Sequence, residues 1–129
     1  MTRRALWLAA GWGGVVTVIW LSLTPHPPEP LNFDGVDKLE HLTAYGCLML
    51  WFCVVYCGRA RLIAGLLLVT LGIVLEILQG WGGVRYFEYA DMVANSTGVL
   101  LGVWLASAPL AKRMNQLSAA LSAGIPNRE

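Results

Sequence analysis

Charge is scarce in this chain. Asp, Glu, Lys and Arg make up 13% of its 129 residues, against about 25% in soluble domains. That shortage argues against an ordinary water-facing surface. No soluble domain, internal repeat or nucleic-acid motif is present, so no nucleic-acid partner is expected. Histidine is scarce too. There are two, and only His41 falls inside a hydrophobic segment, which is thin support for a zinc site. The three cysteines, Cys47, Cys53 and Cys57, fall on one predicted helix, where pairs rarely meet disulfide geometry. Their spacing is no zinc signature, and they read as small packing residues. No serine or cysteine stands in a recognisable nucleophile motif. No metal and no cofactor are expected.

Hydrophobic residues, by contrast, reach 57%, and the mean hydropathy is +0.59. Both point to an integral membrane protein. Four stretches approach the roughly 20 apolar residues that a crossing needs: Ala5–Leu23, Lys38–Cys57, Leu62–Gln79 and Ala90–Leu110. The first and third are apolar nearly throughout. The second and fourth open with two polar turns. The expected fold is all-α, a four-helix transmembrane bundle over residues 1–110 with a tail over residues 111–129.

Orientation follows from Lys and Arg. Seven of the nine lie at the N-terminus (Arg3, Arg4), in the 58–61 turn (Arg59, Arg61) and in the tail (Lys112, Arg113, Arg128). Four crossings put all three places on one side, expected to be cytoplasmic, with both termini there. The other side receives Lys38, Arg85 and most of the carboxylates. The two arginines and apolar run at the N-terminus also fit a signal peptide. The run is long for one, and no small-x-small site precedes Pro25, so a retained helix is expected.

Residues 37–45 bring charge into the second segment. Asp37, His41 and Tyr45 are four apart and share a helical face, with Lys38 bordering it. Asp37 or Asp34 is a candidate N-cap. A cap explains Asp37 alone and leaves His41 and Tyr45 unexplained. Before this segment, four prolines between residues 24 and 36 exclude a helix. His26 there reads as a solvated loop histidine. On the first helix, Gly11, Gly13 and Gly14 permit close packing.

Glu76 and Gln79 lie three apart near the far end of the third segment, with Gly65 and Gly72 on broadly the same side. A glutamate inside a membrane is costly. It must be protonated, reached by water, or paired, with Lys38 or Arg85 as the available cations. Residues 80–89 form a Gly-rich loop whose Trp81, Tyr86, Phe87 and Tyr89 suit a membrane interface. Arg85 in that loop suits a carboxylate or phosphate held by two parallel hydrogen bonds. It equally suits neutralising Glu76 or Asp91. Asp91 and Asn95 open the fourth segment, and Gly98-x-x-x-Gly102 continues their stripe as a small-residue packing face. In the tail, Met114, Leu117 and Leu121 suit a short surface-lying helix. Gly124, Pro126 and Asn127 suggest a frayed end.

Taken in order, Asp37-Lys38-x-x-His41-x-x-x-Tyr45, Glu76-x-x-Gln79, Arg85 and Asp91-x-x-x-Asn95-x-x-Gly98 resemble the VanZ-like family of small bacterial membrane proteins. The resemblance spans roughly residues 25–108. It implies a helical, multi-pass protein of the bacterial inner membrane and an association with teicoplanin-type glycopeptide resistance. It implies no defined reaction.

Three functions are compatible with these residues. In the first, Asp37, Lys38, His41, Tyr45, Glu76, Gln79, Arg85, Asp91 and Asn95 line an external pocket. Its ligand would be the head group of a membrane lipid, a lipid-linked envelope precursor or a lipoglycopeptide. In the second, His41 acts as general acid or base, with Glu76 or Asp91 beside it, on an envelope lipid. In the third, the polar groups pair with one another and fix the helices beside a membrane-protein partner. Transport fits less well, because no intramembrane charge continues toward the cytoplasmic side.

Overall fold

The computed structural model describes residues 2–83, 85–107 and 109–123. Among them the chain is all-helical, with α1 (Arg3–Leu23), α2 (Val36–Val55), α3 (Gly58–Trp81), α4 (Tyr89–Ser107) and α5 (Leu110–Ala123). The tail therefore carries a helix of 14 residues, longer than the short one expected. The suggested fray at Gly124, Pro126 and Asn127 lies outside the described residues, as does Arg128.

α1 and α3 are long and apolar enough to cross a membrane. At about 1.5 Å per residue, α2 and α4 have nearly the length, with 20 and 19 residues. They are less apolar, because α2 carries Asp37, Lys38, Glu40 and His41 and α4 carries Asp91 and Asn95. The apolar face of α3 points outward: Leu62, Ile63, Leu66 and Leu67 are each more than half exposed. A band of that size facing water is unusual for a soluble monomer.

α2 and α4 form the central pair, and the reason is glycine. A Cβ at Gly98 would lie 2.3 Å from the Leu42 carbonyl oxygen, and one at Gly102 would lie 2.9 Å from that of Gly46. Only bare backbone lets the two helices approach this closely. They run parallel, so Lys38, His41, Gly46 and Met49 of α2 lie beside Asp91, Asn95, Gly98 and Gly102 of α4. α3 packs on α4, where Gly72 makes room for Asn95. Tyr45, Met49, Phe52, Leu68 and Val99 fill the centre.

α1 is peripheral, touching α2, α3 and, less extensively, α5. Gly11 meets Trp51 and Phe52, and Gly14 meets Leu48, whereas Gly13 faces open space. Trp7 stacks on Trp51, whose ring N–H donates to the Trp7 carbonyl at 2.9 Å. At the opposite end, Gln79 Nε2 donates to the Ser22 carbonyl at 2.6 Å. α1 and α3 therefore run parallel, opposed to α2 and α4.

Two local details differ from the sequence reading. Neither Asp34 nor Asp37 caps α2. Gly35 is the N-cap, with φ at 81° and no side-chain cap bond. Asp37 instead lies in the first turn, where a negative charge still suits the helix dipole. Cys57 is not on the second helix but is the N-cap of α3, and only Tyr56 and Cys57 connect the two helices. Arg61 then folds back to donate to the Cys53 and Tyr56 carbonyls, satisfying the end of α2.

Candidate functional site

The polar residues converge at the end of the bundle where α2 and α4 begin. Lys38 is the hub. Its ammonium lies 2.5 Å from Asp37 Oδ2, 3.3 Å from Asp91 Oδ1 and against Glu88 Oε2. That contact holds the Asp37 carboxyl below its usual range, mainly through the hydrogen bond from Lys38. One turn deeper, His41 Nδ1 lies 3.0 Å from Asn95 Oδ1. With the amide oxygen as acceptor, Nδ1 carries the ring proton. Nε2 then faces Asp91 Oδ2 at 3.7 Å. Asp91 thus stands between a lysine and a histidine, one oxygen toward each.

Glu76 is almost wholly buried, at 1% exposure. Neither Lys38 nor Arg85 forms an ion pair with it among the described residues. The backbone N–H of Glu88 donates to Glu76 Oε1 at 2.8 Å instead. This bond pins the loop end of α4 onto α3. Glu76 Oε2 and the Tyr45 hydroxyl are buried without a hydrogen-bond partner. Gln79 points away from the lysine hub toward α1, where it bonds Ser22.

Arg85 completes the ring differently. No ion pair joins it to Glu76 or Asp91 among the described residues. It lines a cavity of about 870 Å³ together with Trp81, Tyr86, Phe87, Asp37, Glu88 and Asp91. It also lines a cavity of about 100 Å³ with His41, Tyr45 and Ser22. Of the four aromatics expected at an interface, Trp81, Tyr86 and Tyr89 are largely exposed and Phe87 is partly so.

The arrangement brings Asp37, Lys38, His41, Asp91 and Asn95 into one contact network, with Glu76 tied to its edge through Glu88. Glu88 is the residue that sequence reading omitted from the site. It stands in a loop, and its place depends on Phe87 folding against Gly80, where a Cβ would meet Phe87 Cβ at 2.8 Å. Asp37, Glu88 and Asp91 also have oxygens close enough together to hold a metal ion. The Lys38 ammonium already lies among them and supplies the positive charge.

Chemically, the site offers a guanidinium that forms no ion pair among the described residues, a histidine with an oriented ring, and a carboxylate cluster neutralised in part from within. Its aromatic rim faces the surroundings of the helix bundle. Comparison with protein-family models, with curated proteins and with solved structures finds no match to this chain.

Proposed function

We propose that this is a multi-pass inner-membrane protein whose external cavity binds the anionic head group of an envelope lipid or lipoglycopeptide. The observation that carries the reading is the contrast between its two external cations. Lys38 is taken up by Asp37, Glu88 and Asp91, whereas Arg85 lines the larger cavity with no carboxylate partner among the described residues. A guanidinium so placed matches a phosphate or carboxylate. The neighbouring aromatics suit the boundary where a head group meets hydrocarbon.

Membrane insertion is supported by the apolar α1 and α3 and by the outward-facing leucines of α3. Arg3, Arg4, Arg59 and Arg61 lie at the end of the bundle remote from the site, which favours that end as cytoplasmic. The resemblance to the VanZ-like family adds reduced teicoplanin susceptibility as a phenotype to examine.

A second reading draws on the His41 ring, oriented by Asn95 and facing Asp91. That trio suits general acid–base chemistry on the same lipid.

Native mass spectrometry of gently purified protein tests the binding reading. A discrete lipid-sized adduct on the wild type, lost in Arg85→Gln, supports it. No adduct on either refutes it. An adduct of chemically altered lipid in His41-containing protein, absent with His41→Ala, moves the assignment to the enzyme.

A further inference from the structure

We propose that the ligand of the Arg85 cavity is a long-chain amphiphile whose hydrocarbon tail lies in a groove between α1 and α2. The proposal rests on the head-group reading and names the class of molecule that fits it: a phosphate-headed lipid, rather than a soluble phosphate.

Three cavities neighbour one another through shared lining residues. Arg85 lines both the external cavity and the cavity of about 100 Å³ below it. Val18 and Ala44 line that second cavity and also a groove of about 330 Å³. The shared residues set the three in sequence, from the arginine to the seam between α1 and α2. The groove then follows α1 from Val18 back to Ala10, eight residues. At 1.5 Å per residue that is about 12 Å, most of the roughly 15 Å of hydrocarbon in one leaflet.

The character of the path changes along its length. At the top it meets Arg85, His41 and Glu40. Farther down, its walls include Ala10, Leu48 and Trp51, with Thr17 and Cys47 as polar side chains and the Trp51 ring N–H bonded to the Trp7 carbonyl. The Thr17 hydroxyl is spent on the Gly13 carbonyl at 2.9 Å. At Gly11 and Gly14 α1 lies directly against Trp51 and Leu48, so the groove runs along the surface of this seam, where Thr17 and Cys47 are exposed. A charged head followed by an apolar tail matches this order, and a small hydrophilic anion uses only the first part.

Binding of dioleoyl and dihexanoyl phosphatidic acid to the full chain in detergent tests the proposal. The comparison uses wild type, Cys47→Trp, Thr17→Trp and Arg85→Gln. Cys47 and Thr17 are both exposed, so a tryptophan at either fills the groove from its open side. The wild type should prefer the long chain at least ten-fold, each tryptophan should bring that preference close to one, and Arg85→Gln should weaken both lipids. Equal affinity for the two lipids, or a preference that survives both tryptophans, overturns the tail groove. In that case a loss of both lipids with Arg85→Gln leaves the head-group reading standing. No binding of either lipid by the wild type overturns the head-group reading and the groove with it.

Discussion

Gly98 of α4 lies against Leu42 of α2 so closely that a methyl group at position 98 would sit 2.3 Å from the Leu42 carbonyl oxygen. The obstacle is backbone, which cannot move aside by changing rotamer. Overpacking of this kind costs about 1–3 kcal/mol, and Gly98→Ala should reach the top of that range. Gly13→Ala is the control, because nothing lies within 4 Å of that position. Thermal melting in detergent should show a clear drop for the first and none for the second.

The close approach of α2 and α4 was partly legible beforehand. Asp91, Asn95, Gly98 and Gly102 recur on one helical face, and all four are buried. The same holds for Gly65, Gly72, Glu76 and Gln79 on α3. Periodicity identifies such faces because burial follows the helical repeat. It does not identify partners. Gln79 bonds a backbone carbonyl of α1, and a carbonyl leaves no mark in sequence. Glu88 was missed because a loop has no period. Gly13 looks like its neighbours Gly11 and Gly14 in sequence, yet only those two touch α2.

Lys38→Met should destabilise the protein near neutral pH, because Asp37, Glu88 and Asp91 lose their shared cation. The sign with pH follows from Asp37, whose pKa is lowered in the folded chain. Its contribution is present above the unfolded carboxylate value of about 3.9 and is lost as pH falls through the folded one. Melting curves of wild type and variant should therefore converge in acid. A difference that persists undiminished at low pH would contradict the pairing.

Glu76→Gln and Glu76→Ala should separate. The amide oxygen of glutamine can still accept the Glu88 N–H, which Glu76 Oε1 accepts at 2.8 Å. Alanine leaves that donor unpaired and opens a void, at a cost of about 2–4 kcal/mol. The expected order of melting temperature is wild type close to glutamine, with alanine well below. Equal loss in both would show that the negative charge itself is needed.

Gln79→Leu should loosen one end of α1, since the 2.6 Å bond to Ser22 is a polar tie between α3 and that helix. Hydrogen exchange should rise over the last turns of α1 and stay unchanged at the Trp7–Trp51 stack. Faster exchange along all of α1 would mean the helix is held as one unit.

The most direct test is the dissociation constant of dioleoyl phosphatidic acid for wild type, Arg85→Lys and Arg85→Gln, measured at two salt concentrations. A guanidinium holding phosphate through two bonds predicts that lysine retains part of the affinity and glutamine loses at least about ten-fold, as expected for a charge-assisted pair. The loss should shrink at high salt. Equal affinities for all three proteins would contradict a head-group site at Arg85.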